Sequence, residues 1–401
     1  MSRAYRRCVR VLILTKIFPN RLEPLSSPFN RQQFAQLAHL CEVQVLATIP
    51  WFPCARAFSR WSRAGRLLDV PAEDCVDGLA VRHPRVLLVP RIAPGLSGPL
   101  YAASLARTAE AYRGKVDVLL GSWAYPDGFA AVVLARMLGI PAVIKLHGSD
   151  MNVVAKLRGP RRRLRWALPR AQRIVAVSAR LRDAALALGA AAARIDVVPN
   201  GIDRTRFRPQ ERDAARRALG LPLDRKVVLY VGHVEHHKGS LDLLHAFARM
   251  QRARATPALL AVVGDGAALG ECRELAARLG VDVSFAGARP HDEVPQWLAA
   301  CDVFALPSWN EGTPNVVLEA LGCGRRVVAT AVGGTPAVVT SETLGTLVPP
   351  RDPPALARAL AEALSCEYDP AEVSSTLEAP DWAGSARRLH ESLVAAHQVT
   401  L

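Results

Sequence analysis

The chain of 401 residues lacks the long apolar run that a membrane-spanning helix requires. Its apolar runs are of strand length, whereas about 18–20 consecutive apolar residues are needed to cross a bilayer. Its basic start leads into only four apolar residues, Val11–Leu14, without a small-residue cleavage site. We therefore interpret this start as a first strand rather than as a signal peptide. The eight cysteines are scattered without a Cys-x-x-Cys pair, which predicts reduced core thiols rather than disulfides or a zinc site. A cytoplasmic protein is expected.

Several catalytic motifs are also missing. There is no Gly-x-x-x-x-Gly-Lys-Ser/Thr loop, so a P-loop nucleotidase is disfavoured, and no Gly-x-Ser-x-Gly elbow, which argues against an α/β-hydrolase. The first predicted strand is not followed by a dinucleotide-binding glycine fingerprint. Because no Asp-x-Asp pair is present, we expect no metal bound in that way to a nucleotide diphosphate, and no other cofactor.

The net charge of +15 suggests a nucleic acid or an anionic membrane as a partner. Most basic residues are arginines in a sequence rich in alanine, glycine and proline, so part of the charge can reflect the composition of the genome. No nucleic-acid-binding signature accompanies it. We therefore expect no nucleic-acid partner, although a basic nucleic-acid-binding protein stays the alternative from a different class.

Apolar segments of strand length alternate with helical patterns in two series. The first series has predicted strands at Val9–Leu14, Val43–Thr48, Leu79–His83, Val116–Leu120, Ala142–Leu146, Ile174–Val177 and Asp196–Val198. Its predicted helices are Phe29–Leu40, Tyr101–Tyr112, Gly128–Leu138 and Ala179–Leu188. The second series has strands at Lys226–Val231, Leu259–Val263, Val283–Phe285, Val303–Leu306, Arg326–Ala329 and Leu344–Val348. Its helices are Leu241–Met250, Leu269–Leu279, Glu293–Ala299, Pro314–Leu321 and Pro354–Leu364, and a last helix is Gly384–His397.

This alternation predicts the α/β class, with two doubly wound Rossmann-like domains facing across a cleft. We assign residues 1–199 to the first domain, 200–380 to the second and 381–401 to the last helix. The segment Pro199–Arg225 is interpreted as a linker with a short helix. In such folds ligands bind beyond the carboxyl ends of the strands, so motifs that follow strands are the candidates.

The segment from Glu311 to Glu319 follows one such strand and precedes a helix. We expect Thr313 to cap that helix and Pro314 to occupy its first position. The amides of Asn315 and Val316 would then point at the loop, where the helix dipole favours an anion.

Two carboxylates flank this helix start, and Glu319 would lie roughly 7 Å deeper along the axis. The spacing suits Glu311 at one end of a ligand and Glu319 on a hydroxylated part beyond its phosphate, which is the shape of a sugar nucleotide. We expect both carboxylates to face the ligand rather than to be engaged in internal ion pairs. The alternative is an ordinary capped helix with a surface glutamate.

Two further motifs follow strands. In His147-Gly148-Ser149-Asp150 the His and the acid can orient hydroxyls and stabilise developing positive charge, or else Asp150 caps the next helix. The other motif runs from Val231 to Gly239 and follows the first strand of the second series. Its Gly232 allows close backbone approach, and Lys238 either supplies a positive charge for a phosphate or is only a solvated lysine of the loop. The adjacent His236 and His237 would point apart, so we do not expect a zinc site.

Together these motifs resemble the retaining glycosyltransferases of family 4, which have the two-domain GT-B fold. The resemblance also rests on Pro199–Asp203, Pro307-Ser308 and Val332-Gly333-Gly334, and it covers nearly the whole chain in family order. In detail the motifs are similar to those of bacterial enzymes of exopolysaccharide and teichuronic-acid type assembly. The resemblance implies that a hexose-type sugar passes from a UDP- or GDP-linked donor to a glycan or lipid-linked acceptor. It further implies retention of configuration and a role in cell-surface polysaccharide or glycolipid synthesis.

The resemblance also implies roles for single residues. Glu319 would bind the ribose diol, Glu311 would contact the donor sugar, and backbone groups of Gly312, Thr313, Pro314, Asn315 and Val316 would meet the diphosphate and sugar. His147, with Asp150, would lie beside the sugar near the bond that breaks.

On the nucleotide side, Lys238 would neutralise the departing diphosphate, and Arg289 in the turn Gly287–Arg289 would face the base. Residues 381–401 would pack back on the first domain, which would serve the acceptor.

Two positions depart from the family pattern. His233 stands where the family commonly has an arginine, and we hypothesise that it is protonated only when the donor is bound. The segment Leu25–Arg31 replaces a glycine pair that often follows the first strand. We therefore do not assign the acceptor contacts of the family to this segment. A sugar-nucleotide epimerase of the same fold is a further alternative, which the paired glutamates disfavour.

Two basic segments contain apolar side chains. Lys156–Arg173 carries eight basic residues and no acid, and Trp51–Arg66 adds aromatic residues among arginines. Such stretches suit the anionic inner face of a plasma membrane, where a lipid-linked acceptor would reside, and peripheral binding there is expected. The alternative is a solvated basic face with buried aromatic residues.

Overall fold

A computed structural model describes residues 9–58, 62–87, 95–253 and 256–399. The chain forms two compact units, of which the first comprises Met1–Gly201 with Trp382–Leu401 and the second Ile202–Asp381. Both are built on a mainly parallel sheet with helices, so the predicted α/β class with two Rossmann-like domains is confirmed.

The elements of the first unit alternate as the sequence predicts. Its strands are β1 (Arg10–Thr15), β2 (Glu42–Ala47), β3 (Ile49–Trp51), β4 (Glu73–Val76), β5 (Leu79–Arg82), β6 (Arg85–Leu87), β7 (Val118–Ser122), β8 (Ala142–Leu146), β9 (Arg173–Ala176) and β10 (Ile195–Val197). Its helices before the second unit are α1 (Pro28–Leu37), α2 (Arg63–Arg66), α3 (Ser97–Glu110), α4 (Phe129–Leu138), α5 (Ser149–Asn152), α6 (Arg158–Ala167) and α7 (Ala179–Leu186).

The main sheet of this unit has the strand order β10-β9-β8-β7-β1-β2-β5-β4. Its pairs are parallel except that of β4 with β5. Alternate residues of β1 serve two cores: Leu12 and Leu14 pack with α3 and α4, whereas Val11 and Ile13 pack with α1. The central strands are buried on both faces, which explains their nearly continuous apolar sequences.

The second unit contains six strands in its sheet over the described residues. Its elements are α8 (Arg212–Leu219), β11 (Lys226–Val231), α9 (Ser240–Arg252), β12 (Ala258–Val263), α10 (Leu269–Leu279), β13 (Val283–Gly287), α11 (Val294–Ala300), β14 (Val303–Leu306), α12 (Asn315–Gly322), β15 (Val327–Thr330), β16 (Gly345–Val348), α13 (Pro353–Ser365) and α14 (Pro370–Thr376). The strand order is β13-β12-β11-β14-β15-β16. The direction of winding reverses between β11 and β14, and ligands of such sheets bind at this switch point.

The segment predicted as a linker is mostly an integral part of the second unit. Its short helix, α8, is present, but Arg216 on that helix is fully buried. The Arg216 guanidinium donates to Ala300 O at 2.8 Å and to Asp302 Oδ2 at 2.6 Å. The linker prediction is wrong here because the sequence does not distinguish an arginine that is paired with a buried carboxylate from an arginine that is exposed to solvent.

The last helix, α15 (Trp382–Gln398), belongs to the first unit and packs against α1. Its Leu389 and Leu393 enter the core on the α1 side of the sheet. Ser385 Oγ accepts a hydrogen bond from Gln33 Nε2 at 2.7 Å and donates one to Pro199 O at 2.6 Å. Within the described ranges, no helix has the length and apolarity that crossing a membrane would take.

Candidate active site

Two of the predicted site residues meet at the switch point of the second sheet. Lys238 lies in the loop after β11, and Glu311 lies in the loop after β14. The Lys238 Nζ atom is 2.8 Å from Glu311 Oε1, with 24% of the lysine side chain and 11% of the glutamate side chain exposed. The neighbouring positions of β11 and β14 in the sheet therefore place a cation and a carboxylate together at its carboxyl edge.

Glycines allow the loops at this edge to touch backbone to backbone. Gly239 has a φ of 69°, and a Cβ atom there would lie 2.1 Å from Pro307 O. Gly333, after β15, has a φ of 57°, and a Cβ there would lie 1.9 Å from Glu311 O. Any other residue at either position would push the loop that carries Glu311. The loops after β11, β14 and β15 thus form one packed layer.

The helix behind Glu311 begins one residue later than predicted. The residue before α12 is Pro314 rather than Thr313, and the Pro314 side chain makes no capping hydrogen bond. The predicted Thr313 cap is therefore wrong: because Pro314 itself adopts an extended conformation, Thr313 is displaced from the capping position. The first intrahelical bond runs from Val317 N to Pro314 O at 3.0 Å, so the amides of Asn315 and Val316 lie before it. An anion beside them would be favoured by the helix dipole.

The expectation that both carboxylates are unpaired is wrong. Glu311 makes the ion pair with Lys238, and Glu319 Oε1 lies 2.8 Å from His291 Nε2. The His291 ring also contacts the ring of Phe207, with 5.3 Å between centroids. Sequence reasoning missed His291, although its place two residues beyond the turn predicted to face the base was a usable signal. A ligand that engages either acid has to exchange with these basic partners.

The other predicted residues of the second unit lie outside these two pairs. Gly232 packs closely against the next loop, because a Cβ at Gly264 would lie 1.8 Å from Gly232 O. His233 is exposed, and its carbonyl accepts a bond from Tyr230 OH at 2.6 Å. Arg289 is exposed and lies 3.8 Å from Glu293.

The two adjacent histidines turn to different acids. His236 Nε2 is 2.7 Å from Glu271 Oε2, and His237 Nδ1 is 3.1 Å from Glu235 Oε2. Within the part of the chain that the structure describes, no group of three or more His, Cys, Asp or Glu residues is arranged to hold a metal ion.

At the carboxyl edge of the first sheet, His147 follows β8 and is buried. Its Nε2 atom is 2.9 Å from Ser122 Oγ, and the Ser122 hydroxyl donates to Asn30 Oδ1 at 3.2 Å. Because Ser122 has one proton to give, Nε2 of His147 is the donor and Nδ1 is the acceptor nitrogen. Burial, assisted by the charge of Lys145, holds the pKa of His147 well below its usual range. The imidazole is therefore neutral, which suits it to accept a hydrogen bond from a hydroxyl.

Asp150 serves the backbone of the same loop. Its fully buried carboxylate accepts hydrogen bonds from the amides of Ala124, His147, Gly148 and Met151. Burial raises its pKa, and these amides oppose that rise. All of these contacts are to backbone amides, so Asp150 positions the His147 loop in this structure. Its catalytic role stays a prediction.

Buried charges near this edge were not foreseen. Asp127 accepts a hydrogen bond from Tyr101 OH, and burial raises its pKa to about 7. Lys16 follows β1, lies over the Trp123 ring at 5.1 Å, and has a lowered pKa through burial. Lys145 lies inside β8, donates to Gln33 Oε1, and burial lowers its pKa to about 7. Lys16 could have been found from the sequence, since it lies two residues beyond the predicted strand Val9–Leu14.

Comparison with known proteins connects these sites to a family. Residues 36–206 match the profile described as Glycosyltransferase Family 4, and residues 225–366 match that of Glycosyl transferases group 1. TuaC of Bacillus subtilis (strain 168), named for teichuronic acid biosynthesis, is 29% identical over 358 residues, which are 88% of each chain. D-inositol 3-phosphate glycosyltransferase 2 of Catenulispora acidiphila is 30% identical over 325 residues, or 74% of this chain and 75% of that one.

Solved structures share the architecture. Anabaena HepE in complex with UDP aligns with a TM-score of 0.69 at 19% identity, covering 98% of both chains. The lipopolysaccharide outer core galactosyltransferase WaaB aligns with a TM-score of 0.67 at 16% identity, covering 96% of this chain and 99% of that one. At these identities the alignments establish the GT-B fold. Fold, profiles and relatives agree, and the chain belongs to the family 4 glycosyltransferases.

Proposed function

We propose that the protein transfers a hexose-type sugar from a UDP- or GDP-linked donor to a glycan or lipid-linked acceptor, with retention of configuration. The observation that supports this most directly is the Lys238–Glu311 pair at the switch point of the second sheet, beside the start of α12. A lysine, a helix start and a carboxylate suit a phosphate joined to a hydroxyl-rich group. Those are the parts of a nucleotide-sugar donor.

The donor would displace the partner of each acid, opening the Lys238–Glu311 ion pair and the hydrogen bond between His291 and Glu319. Lys238 would move from Glu311 to the departing diphosphate, and Glu311 would then be available to the sugar hydroxyls. Amides at the start of α12 would share the diphosphate charge, and Glu319 would leave His291 for the ribose diol. Arg289 and His233, both exposed, would complete the contacts of the nucleotide. In this arrangement lysine and helix dipole stabilise the leaving group without a metal ion.

In the first unit, His147 would act on the sugar as a neutral hydrogen-bond acceptor through Nδ1. Its Nε2 atom is held by Ser122, and its backbone amide is held by Asp150. Both contacts fix the ring before substrate arrives, so little reorganisation is needed when the bond breaks. The nearby aromatic rings of Phe29 and Trp123, at 5.1 and 5.6 Å, keep that environment apolar.

The relative named for teichuronic acid biosynthesis supports a role in cell-surface polysaccharide or glycolipid synthesis. We place the reaction at the cytoplasmic face of the plasma membrane, with a membrane-borne acceptor. A sugar-nucleotide epimerase or a nucleic-acid-binding protein is not favoured, because the profiles and relatives are those of glycosyltransferases.

A thermal-shift screen against UDP-, GDP- and ADP-sugars tests the proposal. A donor present at about 100 times its dissociation constant adds about 2.7 kcal/mol to the free energy of unfolding. Glu319→Gln should lose most of that shift, whereas Glu372→Gln, at an exposed acid on α14, should keep it. If none of the sugar nucleotides raises the melting temperature of the wild-type protein, the proposed donor class is wrong. Proton NMR of the anomeric position in the product then decides between retention and inversion.

A further inference from the structure

Helix α6 carries a stripe of unpaired arginines. Arg158, Arg161, Arg162 and Arg165 are spaced by three, four and seven positions, so they share one face of the helix, and all four are exposed. Some other exposed arginines of this unit contact acids, as Arg63 does with Glu23 at 2.6 Å, but none of those is part of such a row on one helix face. Within the described ranges the four arginines of α6 have no ion-pair partner.

This arrangement is unfavourable for an isolated helix. Arg158 and Arg162, and likewise Arg161 and Arg165, are like charges at a spacing of four, which repel each other. The first turn of α6 contains no acid, although the helix dipole favours negative charge there. A negatively charged partner would reverse both penalties. The stripe therefore has the character of a binding face.

Large apolar side chains surround the start of the same helix. Leu96, Val153 and Leu157 are 52%, 51% and 47% exposed. Leu157 directly precedes α6, and Val153 lies five residues before its first residue. Leu96 is brought there because Arg163 Nε donates to the carbonyl of the preceding residue, Gly95, at 3.3 Å. Aliphatic groups of this size are more stable out of water. We call the four arginines with these three residues the basic–apolar surface.

We propose that the basic–apolar surface docks the first unit on an anionic lipid membrane. Arginines would neutralise lipid phosphates while the three aliphatic side chains enter the boundary between headgroups and acyl chains. A nucleic-acid backbone would use the arginines alone and leave the aliphatic side chains in water. The combination of charge and exposed apolar area is what selects a membrane.

The surface adjoins the His147 loop. Helix α5 begins at Ser149 in that loop, and Val153 is the residue that follows this helix. On its other side α6 packs into the core through Pro160, Leu164 and Ala167, which are buried. Docking would therefore hold the first unit's candidate site near the lipid headgroups. Only this last step rests on the proposed function, since it assumes a lipid-linked acceptor.

The second basic segment, Trp51–Arg66, is less suited to membrane contact. Residues 59–61 of Trp51–Arg66 lie outside the described residues. Arg56 lies 3.8 Å from Asp69 and Arg63 lies 2.6 Å from Glu23, so both are partly neutralised. We therefore assign membrane contact to α6 and its surroundings.

Sedimentation with lipid vesicles tests the docking surface. The wild-type protein should sediment with phosphatidylglycerol-containing vesicles at low salt and not with pure phosphatidylcholine vesicles. Each arginine near an anionic surface is expected to contribute about fivefold in partitioning, so Arg161→Ser/Arg165→Ser should bind about 25-fold more weakly. Arg136→Ser/Arg180→Ser removes the same charge from exposed positions outside the surface and should bind like the wild type. Leu157→Ser should weaken binding without changing its salt dependence.

Three outcomes would overturn the proposal: no sedimentation of the wild type, equal losses in both double variants, or wild-type sedimentation of Leu157→Ser. Equal losses would show attraction by net charge alone. Tight binding to duplex DNA without vesicle binding would instead identify a nucleic-acid face. Far-UV circular dichroism and the donor-induced thermal shift, measured without vesicles, verify that each variant is folded. Because the donor shift is independent of lipid, failure of docking and failure of the donor proposal can be told apart.

Discussion

Replacing Glu311 with Gln should strengthen the binding of a bare nucleoside diphosphate. In the structure Lys238 is held by Glu311, with 2.8 Å between Nζ and Oε1. A diphosphate must draw the lysine away from this carboxylate. Glu311→Gln removes the competing charge, while UDP and GDP lack the transferable sugar that Glu311 would contact. The variant therefore isolates the cost of opening the pair.

The size of the effect follows from the exposure of the pair. Two charges 2.8 Å apart attract by about 6 kcal/mol at an effective dielectric constant of 20. Most of this is offset by lost solvation, and partly exposed pairs contribute about 1 kcal/mol net. Binding of UDP or GDP should thus become about fivefold tighter. Lys238→Met removes a charge-assisted hydrogen bond of about 1.5–3 kcal/mol and should weaken binding about 10- to 150-fold.

Isothermal titration at low salt measures both effects. Glu372→Gln serves as the control for loss of one negative charge elsewhere in the second unit. With the intact donor, Glu311→Gln should bind but transfer sugar far more slowly. If Glu311→Gln weakens nucleotide binding as Lys238→Met does, the carboxylate holds the lysine in place instead of competing for it, and the reasoning fails.

Three further changes test the two units. Burial lowers the pKa of Lys145 from 10.5 to about 7 in the folded protein. Between these pH values the folded state therefore binds fewer protons than the unfolded state, so the free energy that burying Lys145 costs falls as pH rises. The stability gain of Lys145→Met in urea unfolding should therefore shrink by about 2 kcal/mol from pH 7 to pH 9; a constant gain contradicts it. Asp302→Ala leaves the buried Arg216 charge uncompensated and should cost about 3–5 kcal/mol in the same assay, and a loss below about 1 kcal/mol contradicts that. Gly333→Ala places a methyl group against Glu311 O and should impair nucleotide binding in titration calorimetry, whereas Gly270→Ala, in open space on α10, should not.

The sequence of strands and helices along the chain could be predicted because the central strands of both sheets are buried on both faces. Strands such as β12 and β14 are apolar along their whole length, and each is bounded by turn residues. Strand β4 was missed although Asp77-Gly78 between it and β5 is a typical hairpin turn, with a positive φ at both residues. Its residues are half-buried or exposed at the sheet edge, so they carry little apolar signal. Helix α6 was missed because its face is marked by arginines rather than by apolar residues.

The candidate site could be predicted as far as the sheet edge at which each residue emerges. Lys238 and Glu311 are in contact because β11 pairs with β14. The order of strands in a sheet cannot be predicted from the local sequence of each strand. The pairing of Glu319 with His291 has the same origin, since each follows a different strand. Lys145 shows the limit most clearly: its apolar neighbours predict a strand, but its acceptor, Gln33, lies 112 positions away on α1.

The position of α15 in the chain has a consequence for biosynthesis. The first unit is covered on one face by a helix translated only after the whole second unit, Ile202–Asp381. At the usual 5–20 residues per second, the ribosome needs roughly 10–40 s to make those residues. During that time the hydrophobic surface that will receive Leu389 and Leu393 has no cover from its own chain. The nascent protein is thus expected to depend on chaperones until the final helix leaves the exit tunnel.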